Sequence, residues 1–253
     1  MYQVFNPRLF AQSASKNPYL FILICVYQTH ILQIMKYICI ILSLLFSVFC
    51  QGQDLDGYMA ERGLVDVSAM DTTLRVELVY ATADNFLGKV VYSGITRAWL
   101  HPDAARKLLA AHRLLKQEHP GWRFVVYDAA RPMSVQRQMW ALVRGTDKTN
   151  YVSNPANGGG LHNYGLAVDL TILDEKGMPL PMGTPFDYFG EEAHTNNEEA
   201  LLENGRITRA EYENRRLLRR LMRKAGFRSI LYEWWHFNAC TRAEARQGYP
   251  VID

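Results

Sequence analysis

"LHNYGLAVDLTIL", residues 161–173, sets a histidine, a glycine and an aspartate at the front of an apolar run. From Gly165 onward it is rich in β-branched residues, Val168, Thr171 and Ile172, and reads as a strand. Outward from it, "WRFVVYDA" (122–129) reads as an apolar strand and "TLRVELVY" (73–80) as a half-buried one, alternating Leu74, Val76, Leu78 and Tyr80 with Arg75 and Glu77. "SILYEWWHF" (229–237) reads as the last strand. Between them, "HPDAARKLLAAHRLLKQEHPG" (101–121) carries Ala105, Leu108, Leu109 and Leu115 at helical spacing, opened by Pro102 and closed by Pro120-Gly121. "SVQRQMWALV" (134–143) reads as a helix capped by Ser134. "TRAEYENRRLLRRLMRKAGF" has a capping box, Thr208 with Glu211, and a stop at Gly226; its basic run reads as a solvated face. Residues 174–207 are mixed in composition and read as a long loop with short helical pieces, the kind of segment that serves as a lid or binding element. Interspersed strands and helices with few short strand-to-strand connections predict an α+β fold: a central antiparallel sheet with helices packed on it, in one domain over 54–253.

The charge balance removes one class of partner. Residues 1–50 contain Arg8, Lys16 and Lys36 and no acid, and the Lys and Arg left in the body equal its 25 Asp and Glu. A neutral body gives no basis for nucleic-acid binding. The front of the chain has a different character. From Met35, "MKYICIILSLLFSVFCQGQ" runs from one lysine through an apolar stretch to Cys50 and polar residues, the order of a secretory signal. We therefore read 35–50 as a signal peptide and 1–34 as upstream translation; the alternative is one membrane anchor across both segments. Cys25, Cys39 and Cys50 fall in the leader, leaving Cys240 alone in the body, so the body has no disulfide framework. "LFSVFC" loosely resembles a lipoprotein cleavage box, which makes Cys50 a candidate lipid anchor. The expected location is the periplasm or cell envelope.

Two segments concentrate metal-ligand residue types. "GGGLHNYGLAVD" (158–169) holds His162 and Asp169, and "EWWHF" (233–237) holds Glu233 and His236. Two imidazoles and one carboxylate suit a catalytic zinc with an open position for water, and such a site needs a further carboxylate as general base. Spacing leaves the division of labour open. Asp169 is short and lies within a strand, which favours a rigid ligand; Glu233 is longer and can reach a water. Residues three apart in a regular strand point to opposite faces, so a bulge, a twist or a strand end must bring Glu233 and His236 together. Each residue alone has a plainer reading: a loop histidine, a turn aspartate, a satisfied core histidine. HExxH and GxSxG are absent, and Gly158–Gly160 has no following Lys-Ser/Thr, so a thermolysin-like site, a serine-hydrolase elbow and a phosphate loop have no support.

"HNYGLAVD" resembles the H-x-x-G-x-A-x-D motif of the zinc D-Ala-D-Ala peptidases, and "EWWHF" their E-x-x-H. "YATADNFLG" (80–88), "YDAARP" (127–132) and "MGTPFDYFGEEAH" (182–194) further resemble the D-alanyl-D-alanine dipeptidases of the vancomycin-resistance type. The likeness runs from about residue 60 to the end. It implies one zinc ion held by His162, Asp169 and His236, Glu233 as catalytic base, and Arg131 as the residue that stabilises the oxyanion. The implied substrate is the small dipeptide D-Ala-D-Ala, with Asp187 near its amino end and Trp234–Trp235 as an apolar wall. A carboxypeptidase or endopeptidase on the same scaffold, or a zinc-containing binder without catalysis, are the alternatives. Relatives commonly have serine where this chain has Gly160, two residues before His162, so a hydroxyl is missing there or its role falls to backbone.

Overall fold

The computed structural model describes residues 18–49 and 54–253, and the chain divides into two units between Gly52 and Gln53. In the first unit a single helix, α1 (Pro18–Phe49), runs without a break through Met35. Cys50 lies outside the described residues, as does its expected role as an anchor.

The second unit contains, in chain order, α2 (Leu55–Glu61), β1 (Val65–Asp66), α3 (Val67–Met70), β2 (Arg75–Val76), β3 (Trp99–Leu100), α4 (Pro102–Glu118), β4 (Arg123–Asp128) and α5 (Met133–Val143). It continues with β5 (Ala167–Leu173), α6 (Glu198–Glu203), α7 (Arg209–Lys224), β6 (Arg228–Ser229), β7 (His236–Asn238) and α8 (Arg242–Gly248). Five strands form one sheet in the order β2-β4-β5-β7-β6. The fold is α+β as expected, but the sheet is mixed rather than antiparallel, because β2 joins β4 in parallel. Parallel neighbours need a long crossover, and the connection between these two carries β3 and α4. The remaining pairings, β4–β5, β5–β7 and β7–β6, are antiparallel. β5 is buried at every position, as a strand covered on both faces must be.

Three expected elements differ, each because a tertiary contact overrides local pattern. "TLRVELVY" contributes only two residues to the sheet. Past Glu77 the chain turns, and the Tyr80 carbonyl accepts from the Val91 and Tyr92 N–H groups at 3.0 Å. α5 starts at Met133, not Ser134, with Met133 N–H donating to the Ile252 carbonyl at 2.6 Å; Pro132 occupies the cap position and no side chain caps it. "SILYEWWHF" is two strands interrupted at 230–235. There the Leu231 carbonyl accepts from Thr195 N–H at 2.8 Å and Thr195 Oγ1 donates to the Ile230 carbonyl at 2.7 Å, so the 174–207 segment takes groups a sheet would use. The capping box of α7 is present, with Thr208 and Glu211 bonded reciprocally, and Gly226 ends the helix at φ 93°. Its basic face is not all solvated. Arg215 is buried and its Nε donates to the Met182 carbonyl at 2.5 Å.

His112 gives the fold a pH dependence. It is fully buried on α4, stacked on Phe124, with Nδ1 3.4 Å from the Asp71 carboxylate. Burial pulls its pKa from the usual 6.5 down to about 4, against the opposing pull of Asp71. The unfolded ring takes up a proton near 6.5 and the folded ring only near 4. Stability is therefore full above pH 6.5 and is lost as pH falls toward 4, by roughly 3 kcal/mol. Melting temperature is expected to fall over that window, and His112→Leu to flatten the fall. A parent as flat as the variant contradicts this.

Candidate metal centre

Sheet register assembles the site. Asp169 on β5 lies directly opposite His236 on β7, and on its other side pairs with Asp128 at the end of β4, past a register shift after Val126. Three adjacent strands thus carry Asp128, Asp169 and His236 in one row. His162 arrives from the short helical turn Leu161–Tyr164 that precedes β5. Gly165 makes that entry possible: its φ is 65°, and a Cβ there would sit 2.9 Å from the His101 backbone nitrogen, which donates to the Gly165 carbonyl.

The donor atoms converge. His162 Nε2 and His236 Nδ1 are 3.2 Å apart, His236 Nδ1 lies 2.9 Å from Asp169 Oδ1, and His162 Nε2 lies 3.4 Å from the same oxygen. Ligands held about 2.0–2.2 Å from a tetrahedral zinc are themselves roughly 3.3 Å apart, so the triangle fits such an ion. The other ring nitrogens are already engaged. His162 Nδ1 donates to the Ala129 carbonyl at 2.6 Å, and His236 Nε2 to Asn238 Oδ1 at 2.8 Å. Those acceptors fix both tautomers and leave the inward nitrogens with lone pairs for a cation. Burial works against the Asp169 carboxylate, but the two imidazoles outweigh it and hold its pKa well below the usual range.

Glu233 sits beyond the strand, three residues before His236 in the interruption between β6 and β7, so the strand-face objection does not apply. Its Oε2 is 3.9 Å from His236 Nδ1. Burial pushes its carboxyl up to about 7, with His236 pulling down and Asp169 and Asp187 adding to the rise. Arg131 is buried, its guanidinium paired with Asp128, donating to Gln136 Oε1 at 3.0 Å and Tyr92 Oη at 3.3 Å. It also lies over the Tyr80 ring at 5.2 Å. Its backbone is tied to the histidine turn, since Arg131 N–H donates to the His162 carbonyl and Asn163 Nδ2 to the Arg131 carbonyl, both at 2.9 Å. Three of five guanidinium N–H donors are thereby used, leaving others for a guest. Asp187 accepts from Tyr80 Oη at 2.9 Å, and burial raises its pKa well above the usual carboxylate value. Four carboxyls (Asp128, Asp169, Asp187 and Glu233) gather around this one buried guanidinium.

His162, Asp169, His236, Glu233, Arg131 and Asp187 line one cavity of about 620 Å³; Asp128 stands behind it. Trp235 lines it too. Trp234 does not: its Nε1 donates to Thr184 Oγ1 at 2.8 Å, so the expected two-tryptophan wall is one tryptophan, with the other anchoring the 174–207 segment. That segment contributes Asp187, Phe189 and His194 to the cavity. Asp128, Tyr80, Gln136, Ser153 and Asn238 were not read as site residues from sequence. Of these, only Tyr80 and Asp128 stood inside quoted motifs. Cys240 is half-buried, and burial raises its pKa.

An α+β sheet carrying a His-Asp-His triangle with a spare acid beside it defines a class: single-metal hydrolytic proteins, in which a free coordination position activates water. Comparison with known proteins narrows this. The profile of the peptidase M15 family, described as D-Ala-D-Ala dipeptidase, matches residues 60–252. The D-alanyl-D-alanine dipeptidase of Escherichia coli (strain K12) is 36% identical over 189 residues, covering 75% of this chain and 89% of that protein. Dipeptidases of the same description from Enterococcus faecium (31% identical, 65% of this chain, 85% of that one) and Enterococcus faecalis (28%, 70% and 91%) are also similar. The chain belongs to the M15 family of metallopeptidases.

Proposed function

We propose that this protein hydrolyses the dipeptide D-Ala-D-Ala, with one zinc ion held by His162, Asp169 and His236. The observation that carries the reading is the convergence of those three donors with Glu233 and Arg131 in one cavity. Bound by these three residues, zinc would acidify a water and polarise the scissile carbonyl. Glu233, beside the three donors, takes the proton of the attacking water and returns it to the leaving amine nitrogen. Arg131, braced by Asp128 and Gln136, directs its remaining N–H donors to the carbonyl oxygen as negative charge develops there. Asp187 receives the substrate ammonium, and Trp235 supplies an apolar wall beside the small side chains. The 174–207 segment closes the site. It is pinned by Arg215 to Met182, Trp234 to Thr184 and Thr195 to Leu231, which supports a short substrate over a long peptide.

The reading includes export through the leader at 35–50, supported by its lysine-then-apolar order, to a compartment where D-Ala-D-Ala peptides occur. The purified protein is expected to release D-alanine from D-Ala-D-Ala, to stop after chelation and dialysis, and to resume when zinc is restored. It should leave a stem pentapeptide intact. Release that survives chelation contradicts the reading.

A further inference from the structure

We propose that Ser153 binds the carboxylate end of the dipeptide, supplying from a neighbouring loop the hydroxyl that Gly160 lacks. This rests on the dipeptidase reading. A zwitterionic dipeptide presents an ammonium at one end and a carboxylate at the other, and Asp187 serves only the first. From Asp187 a continuous line of contacts leads to Ser153. Tyr80 donates to Asp187, and the Arg131 guanidinium lies over the Tyr80 ring. Arg131 then donates to Gln136 Oε1 at 3.0 Å, and Gln136 Nε2 donates to the Ser153 carbonyl at 2.6 Å. Ser153 ends this line of contacts, held by the residue that also braces Arg131.

The corner it occupies belongs to Gly160. A Cβ placed on Gly160 would lie 2.9 Å from Ser153 Oγ and 3.4 Å from Ser153 Cβ. The two positions compete for one space, and here the serine oxygen fills it because residue 160 has no side chain. Both residues line the cavity beside Leu161 and His162. Among the described residues no hydrogen bond engages Ser153 Oγ, whereas its backbone carbonyl is fixed by Gln136. A hydroxyl with a free donor, on a residue whose carbonyl shares Gln136 with the Arg131 guanidinium, is suited to a carboxylate.

The test is steady-state kinetics of the zinc-loaded protein on D-Ala-D-Ala and on the same dipeptide with its C-terminus amidated. A hydrogen bond to a charged group predicts that Ser153→Ala raises KM for the free acid roughly 10- to 100-fold, with kcat within about threefold. The variant's preference for acid over amide shrinks by the same factor. The exchange S153A/G160S returns a hydroxyl to the corner and recovers most of the KM, which a merely structural serine would not allow. A parent that turns over D-Ala-D-Ala while S153A matches its KM within about twofold overturns the proposal, as does equal loss on acid and amide. A parent with no turnover of either overturns the dipeptidase reading and this proposal with it.

Discussion

Glu233→Gln is expected to lose about 10²- to 10⁴-fold in kcat while binding zinc as the parent does, because positioned general base and acid catalysis contributes on that order. Glutamine keeps the side chain's shape but neither accepts the water proton nor delivers one to the leaving nitrogen. Glu233 is not one of the three converging donors, so metal content is the control. Zinc per chain measured alongside kcat separates a lost base from a lost ligand. Turnover within a few-fold of the parent removes Glu233 from the chemistry. Arg131→Ala is a poorer probe of catalysis. It leaves Asp128 buried without its cation, and breaking a buried pair costs about 3–5 kcal/mol of stability.

His236→Ala is expected to empty the centre, with zinc content falling from about one per chain to near zero and hydrolysis falling with it. Two remaining donors do not make a catalytic zinc site, which takes three protein ligands. Asn238→Ala provides the graded comparison. It keeps all three donors but frees the His236 ring, and loss of such an outer partner weakens metal binding roughly 10- to 100-fold. Competition with a chromophoric chelator reads both. The order parent, Asn238→Ala, His236→Ala in affinity is the prediction; equal affinity in all three would mean the metal, if bound, sits elsewhere.

The residue types of this centre are legible in the sequence, and their arrangement is not. His162, Asp169, Glu233 and His236 stand out as ligand and base chemistry, yet spacing leaves Asp169 and Glu233 interchangeable. Register separates them: Asp169 lies on a buried central strand facing His236 across the ladder, whereas Glu233 lies off the strand on a backbone drawn toward Thr195. The long element at 229–237 was misjudged for the same reason, since a partner from 174–207 captures carbonyls that local pattern assigns to a sheet. The parallel entry of β2 depends on where a crossover lands, and periodicity within a strand does not encode that. Ser153 and Asn238 carry no motif; one matters through the volume Gly160 leaves open, the other through a single bond to an imidazole. The helices α4 and α7, by contrast, end close to where proline, glycine and the capping box place them.

The central claim is that His162, Asp169 and His236 grip one zinc ion beside Glu233. Anomalous diffraction at the zinc edge, from crystals of zinc-loaded protein, addresses it directly. The account predicts one strong peak about 2.0–2.2 Å from His162 Nε2, His236 Nδ1 and an Asp169 carboxylate oxygen, with Glu233 unligated and turned toward the open position. A peak bound by other residues, or no peak within that triangle at full zinc loading, would contradict it.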